Sequence, residues 1–301
     1  MYLPLTHSRS NVEPDQFLFL TILKMKVLWL GHNLAFPPKG GALQRNYNLL
    51  LEVSKQCEVH VLAFDQPATR PSTVTADDCV KALTKFCATA EWVQLSSPSS
   101  RWRTNCRALG SWLGSDPYET RWLRHSEMAA RLHSFLSHVP IDVIHFDTIG
   151  LAQYLPIVRR LGINKRMATV LNHHDVQSAQ LLRRAAHETN YLSKALLKRE
   201  ARNVRRAEQF WCPLMDLNLT VSEEEKTLLD DAVNHRAKVE VVPNGVDPTY
   251  FSTRSDPQGK TIIFCGKLDK YSNKSGIKYF FQKIWPLLTI LDPRIEIAVM
   301  G

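Results

Sequence analysis

The 301-residue sequence has no run of eighteen apolar residues; the nearest stretch, Phe17 to Leu30, is broken by Lys24 and Lys26. A membrane-spanning helix is thereby excluded. Cysteine is sparse and scattered: residues 57, 79, 87, 106, 212 and 265 form no CxxC pair and have no histidine at ligand spacing. That scatter argues against zinc and against a disulfide framework, and it suits a reducing compartment. Neither the GxGxxG of a dinucleotide site nor the GK[ST] of a phosphate-binding NTPase loop is present. No repeat at a solenoid period occurs. The first 24 residues lack the basic start, unbroken apolar stretch and small-residue cleavage site of a secretory leader. Met25-Lys26-Val27 reads as a natural start, and residues 1–24 as a disordered extension.

What is present is a globular composition, 44% apolar and 22% charged, long enough for one large domain or two ordinary ones. The formal net charge is +9, and it is concentrated. Residues 151–210 carry twelve Lys or Arg against Asp175, Glu188, Glu200 and Glu208, which points to an anionic partner for that segment.

Short β-branched runs alternate with helical patterns from Met25 onward, the order of an α/β protein with parallel strands and crossover helices. Strands are expected at 26–30, 58–64, 91–95, 142–146, 168–171, 217–221, 239–242, 261–265 and 296–299. Several are apolar without alternation, as strands covered on both faces are. Helices are expected at 41–55, 76–88, 118–137, 150–160, 176–211, 223–233 and 275–291. Ser222 with Glu225 reads as a capping box. Pro, Asn, Gly, Asp, Thr and Ser crowd together at Pro243 to Gly259, the composition of a linker. The one β-α-β unit that follows cannot cover a parallel sheet on both faces, so the second domain reads as cut short.

Three stretches carry chemistry. In VLWLGHNLAFPPKGGALQRN (27–46) a buried strand leads through a loop to a helix starting near Ala42. Gly40 and Gly41 there let backbone N–H groups approach a ligand, and the helix N-terminus favours an anion; a tight turn needing glycine is the equally weighted alternative. In LNHHDVQS (171–178), His173, His174 and Asp175 follow a strand. They offer a donor that changes charge near neutral pH, held in its tautomer by a carboxylate, while Asp175 is also placed to cap the next helix. Adjacent histidines on an extended segment point opposite ways, which disfavours a metal site of two histidines and an aspartate. In the long helix, Lys194, Lys198, Arg199, Arg202, Arg205 and Arg206 fall within an arc of about 140°. Leu192, Leu196, Leu197, Val204, Ala207 and Trp211 share the opposite arc. A solvated face and contact with an anionic membrane surface are the two readings of that helix. Nucleic acid is not indicated, because no aromatic residues interleave with the cations.

The strings FPPKGGALQRNYNLLLEVSK, DVIHFDTIG, NHHD, LNLTVSEEEKTLL, VEVVPNGVDPTYF, IIFCGKLD and IEIAVMG come in this order. From Met25 to Gly301 the chain thereby resembles the retaining GT-B-fold glycosyltransferases of family four, formerly group 1. Within that family it is most similar to bacterial exopolysaccharide-type sugar transferases of the cell envelope. The resemblance implies a Rossmann-like acceptor-side domain at 25–247, a linker at 248–259 and a partial Rossmann-like donor domain at 260–301. It implies that Gly40 and Gly41 border the donor phosphates, that His174 is the cleft histidine, with His173 and Asp175 beside it, and that Asn244, Gly245 and Asp247 form the junction turn. Lys267 and Lys274 match the positions that hold the pyrophosphate, Lys267 standing where the family commonly has Arg. The glutamate pair and glycine-rich loop that grip the donor in the family lie beyond Gly301, so the chain is expected to be crippled as a transferase.

The expected activity is transfer of a hexosyl unit from a UDP- or GDP-sugar to a glycan or lipid-linked acceptor, with no metal or other cofactor. Helix N-termini and Lys267 would offset the leaving-group charge. The expected location is cytoplasmic, peripheral on the inner face of the plasma membrane. The rival readings are a non-catalytic remnant that binds glycan or lipid, and a nucleotide-sugar epimerase of similar architecture.

Overall fold

The structure, a computed structural model, describes residues 24–95, 114–162, 167–248, 252, 260–266, 268 and 271–300. Residues 1–23 of the proposed 1–24 extension, Lys267 and most of the 248–259 linker lie outside them. The chain divides into two compact units, Met1–Gly245 and Val246–Gly301.

In the first unit, the apolar runs without alternation become strands covered on both faces. β1 (Lys26–Gly31), β2 (Glu58–Asp65), β3 (Thr89–Gln94), β4 (Val143–Phe146), β5 (Ala168–Asn172), β6 (Leu217–Thr220) and β7 (Val239–Val241) form one sheet in the order β3-β2-β1-β4-β5-β6-β7. Every neighbouring pair is parallel. Alternate residues feed two cores: Leu28, Leu30, Leu62 and Phe64 pack into one, Val27, Trp29, Val59 and Val61 into the other. The chain winds outward from β1 to β3, then returns to place β4 on the other side of β1. The order therefore reverses between β1 and β4, and open α/β sheets bind ligands at such a point, outside the carboxyl ends of the strands.

The helices are α1 (Gly41–Ser54), α2 (Ala76–Leu83), α3 (Tyr118–Trp122), α4 (Ser126–His138), α5 (Leu155–Leu161), α6 (Gln177–Ala186), α7 (Tyr191–Trp211) and α8 (Glu223–Val233). The expected helix over 176–211 is in fact two, because the Asn190 side chain accepts from Ser193 N at 2.9 Å and starts α7 afresh. The first turn of α6 is not capped by Asp175. Its N–H groups go to two buried carboxylates from other helices: Val176 N to Glu225 Oε2 at 2.5 Å, and Ser178 N to Glu208 Oε1 at 3.2 Å. The capping box at α8 is likewise half formed. Ser222 accepts from Glu225 N, but the Glu225 carboxylate is committed to Val176 and Arg183.

The second unit contains β8 (Thr261–Cys265), α9 (Tyr271–Tyr279), α10 (Trp285–Leu291) and β9 (Glu296–Met300), with β8 and β9 paired in parallel and, among the described residues, with each other alone. Leu287, Ile290 and Leu291 are exposed, as a single β-α-β unit requires.

Candidate active site at the strand ends

β1, β4 and β5 are adjacent, and each delivers a polar side chain at its carboxyl end. Asp147, directly after β4, is fully buried, and a buried carboxylate persists only when its oxygens are paired. Here both are. His32, just past β1, engages Oδ2 through its Nδ1. His174, just past β5, bonds Oδ1 through Nε2 at 3.0 Å. Asn46 Nδ2, from α1, donates to Oδ2 at 2.7 Å. Burial alone would raise the Asp147 pKa, but His32 and the hydrogen bonds from both histidines outweigh it and hold the carboxyl well below its usual range. Burial lowers the pKa of His32; the charge and hydrogen bond of Asp147, with a smaller contribution from Glu119, more than offset this and leave it raised.

One ring nitrogen of His32, one of His174 and an Asp147 oxygen lie within 4.8 Å of one another. With the imidazole protons in place the group is a hydrogen-bonded triad. With both nitrogens deprotonated, the same donor set suits a divalent ion.

Beside the triad, α1 contributes Arg45, only 7% exposed, which donates to Asn244 Oδ1 at 3.0 Å and Asn172 Oδ1 at 3.3 Å. Arg45 Nε, Asn46 Oδ1, Asn172 Nδ2 and Thr148 Oγ1 are buried with no hydrogen-bond partner among the described residues. Such concentrated unpaired polarity at strand ends is costly in an apolar core and sensible where a polar ligand is met. A cavity of about 330 Å³ is lined by Arg45 with Gly41, Gln44, Asn48, Pro243 and Asn244.

Gly40 precedes α1 at φ +87°, a conformation that favours glycine. Gly41 has ordinary dihedrals, and a Cβ there would meet nothing within 4 Å. The turn thus explains Gly40 and leaves Gly41 as open space at a helix N-terminus with no acidic residue in its first turn.

The other sequence-derived candidates are distributed as follows. His173 does not join His174: it is buried on the opposite side of its strand, 3.3 Å from Asn218 Oδ1 and 3.8 Å from Cys212 Sγ, with its pKa pushed down to about 4, chiefly by burial. Its expected place in the cleft is thereby corrected, for the alternation of an extended segment sends the two rings to opposite faces. Asp175 is exposed and accepts from Gln180. Asn244 and Gly245 lie in the first unit; Asp247 and Lys274 are exposed in the second. Of the six cations on α7, Arg199 and Arg205 are already bonded to the carbonyls of Gly114 and Asp231, at 3.5 and 3.1 Å. The leucine arc does not pack along its whole length: Leu192 and Leu196 are 67% and 41% exposed, as is the neighbouring Tyr191 at 90%.

The sequence reading passed over His32, Asn46, Arg45 and Asp147. For His32 and Asp147 the available signal was positional: each apolar strand facing the switch point is followed within two residues by a polar side chain.

The sequence profile of Glycosyltransferase Family 4 matches residues 39–250. No curated protein sequence matches the chain. Among solved structures, the chain is similar to sucrose-phosphate synthase (tll1590) from Thermosynechococcus elongatus, at 9% identity and TM-score 0.50, over 92% of this chain and 71% of that one. It is also similar to an alpha,alpha-trehalose-phosphate synthase (UDP-forming) from Burkholderia vietnamiensis, at 13% identity and TM-score 0.47, over 92% of this chain and 64% of that one. Arabidopsis thaliana UGT89C1 complexed with UDP-L-rhamnose matches at 14% identity and TM-score 0.40, over 81% of this chain and 57% of that one. The chain thus spans less than two thirds of the last two. At these identities the likeness is one of fold, the GT-B type. With a family profile covering most of its length and a parallel α/β sheet whose polar side chains gather at the switch point, the chain belongs to glycosyltransferase family 4.

Proposed function

We propose that the chain serves glycosyl transfer: a hexosyl unit passes from a UDP- or GDP-sugar to a hydroxyl of a lipid-linked or polysaccharide acceptor, with retention of configuration, in exopolysaccharide synthesis for the cell envelope. The observation that carries this reading is the triad of His32, Asp147 and His174 at the switch point of a family 4 chain. His174 orients a hydroxyl through the nitrogen not committed to Asp147. The N-terminus of α1, open beside Gly41, receives negative charge from the diphosphate. The reading invokes no metal, since charge developing on the leaving group is met by fixed donors. Retention is supported by the family resemblance.

No helix among the described residues is long and apolar enough to cross a membrane. The proposed place of the enzyme is cytoplasmic, on the anionic inner face of the plasma membrane, held by the start of α7. There Tyr191, Leu192 and Leu196 are exposed beside Lys194 and Lys198, the pairing of apolar and basic side chains that interfacial helices use.

The test is calorimetric titration with UDP- and GDP-hexoses, followed by mass spectrometry of a polyprenyl-linked glycan incubated with each. Weak donor heat and slow formation of an acceptor heavier by one hexose are the expected result. Glycan binding without donor heat or product would leave a binding module.

A further inference from the structure

We infer that Arg199, Arg202, Asn203 and Arg206 of α7, with the loop at Gly114 and Ser115, form a binding pocket for a phosphate monoester, apart from the strand-end site. Successive residues of a helix turn by about 100°, which puts these four side chains within an arc of about 100° on one face of α7. With Gly114 and Ser115 they line a cavity of about 210 Å³. That is smaller than the roughly 300–1,000 Å³ of pockets that take a whole drug-sized ligand, so it suits a phosphate group and not a nucleotide. None of the lining residues is among those gathered at the ends of β1, β4 and β5.

The lining carries three positive charges and no negative one. The acids nearest in sequence are engaged elsewhere. Asp116 accepts from Arg124 at 2.8 Å, Glu200 from Tyr118 N at 2.6 Å, and Glu208 from Ser178 N and Oγ at 3.2 and 2.5 Å. Arg202 and Arg206 are exposed and meet no carboxylate among the described residues. Arg199 reaches the Gly114 carbonyl only at 3.5 Å, and its Nε is buried with no partner among the described residues. Asn203, 3% exposed, donates to the same carbonyl at 3.4 Å. Like charges three and four residues apart destabilise a helix, and an unpaired guanidinium donor costs free energy as well. One bound anion offsets both.

The chemistry of the lining selects the anion. Guanidinium forks match phosphate oxygens in bidentate geometry and are more weakly hydrated than an ammonium. A monoester brings about −1.5 to −2 charge at neutral pH and three strong acceptor oxygens; a diester is poorer in both. Leu192 and Leu196, 67% and 41% exposed, lie about two turns and one turn before Arg199 and within about 60° of it around the axis. A lipid with its phosphate in the pocket would lay its chain along them, whereas a soluble phosphate would use the pocket alone. The pocket rests neither on glycosyl transfer nor on the membrane contact of Lys194 and Lys198, and a chain inactive as a transferase leaves it standing.

The test uses the full chain, with soluble probes followed by calorimetry and by proton–nitrogen NMR of the arginine Nε–H signals. Inorganic phosphate and glycerol 3-phosphate are expected to shift the Arg199 signal saturably. Arg202→Gln together with Arg206→Gln is expected to weaken both at least about tenfold without lowering the melting temperature, since both side chains are exposed. Lys194→Gln together with Lys198→Gln is expected to leave both affinities within about twofold. Monomeric dihexanoyl phosphatidate binding more tightly than glycerol 3-phosphate, with the gain lost in Leu192→Ser, identifies a lipid phosphate; equal affinity identifies a soluble one. An Arg199 signal unmoved by millimolar phosphate, or affinity unaltered in the arginine pair, overturns the inference. So does an equal loss in the lysine pair, the mark of diffuse attraction. Dihexanoyl phosphatidylglycerol, a diester, binding the wild type as well as phosphatidate also overturns it, and that comparison needs no variant to fold.

Discussion

Asn46 Nδ2 donates to Asp147 Oδ2 across 2.7 Å, joining the first helix to the end of a strand 101 residues away. Both side chains are buried, at 1% and 0% exposure, so the bond is worth more than a surface one. Asn46→Ala removes a donor from an ionised buried acceptor and is expected to cost about 1.5–3 kcal/mol, measured by urea unfolding. A loss under about 0.5 kcal/mol would show that water replaces Asn46 freely.

His145 and His173 predict an acid-sensitive fold. Both are buried, and burial chiefly pushes each down to about 4 from an ordinary 6.5. Above pH 6.5 neither contributes. As pH falls from 6.5 toward 4 the unfolded chain binds protons that the native state refuses, so stability is lost by up to about 3 kcal/mol per histidine. His32, shifted upward, has the opposite sign: its contribution is present below 6.5 and is lost as pH rises through its folded pKa. Because His145 stacks on Trp29 at 3.6 Å with both ring nitrogens unpartnered among the described residues, His145→Phe should flatten the acid limb between pH 6.5 and 4. An unchanged limb in thermal unfolding contradicts this.

Gly40 and Gly41 separate turn from ligand contact. Gly40→Ala forces a side chain into φ +87° and is expected to cost about 1–2 kcal/mol of stability. Gly41→Ala meets no neighbour and should leave the melting temperature unchanged. If a donor phosphate approaches that backbone, its affinity should fall about tenfold or more. Unaltered donor affinity in Gly41→Ala would remove this loop from the binding site.

At the start of α7, replacing Tyr191 and Leu192 by Ser, or Lys194 and Lys198 by Gln, is expected to weaken flotation with anionic vesicles. The loss on charge removal should shrink as salt rises, with a Debye length near 10 Å at 0.1 M. Binding that persists in both variants would mark this surface as merely solvated.

The sheet was legible in the sequence because buried parallel strands are apolar on both faces: each of the nine expected strands, such as 26–30 and 261–265, matches an observed one to within about two residues at either end. The break between α6 and α7 was not, since Glu188-Thr189-Asn190 contains no Gly or Pro and only the capping geometry of Asn190 reveals it. His174 could be singled out from its place after a strand. Its partners could not: Asp147 is 27 residues away and His32 a further 115, and only the reversal of strand order brings them together. The same limit hid the roles of Glu208 and Glu225, which serve the first turn of a different helix.

The most direct measurement compares Asp147→Asn with the unaltered chain at fixed donor and acceptor, with donor affinity determined on the same preparations. The substitution keeps the shape of the side chain and removes its charge. A fall in transfer of at least about 100-fold with donor affinity unchanged is the result expected if the strand-end triad is the reaction centre. Equal rates in the two proteins would contradict it.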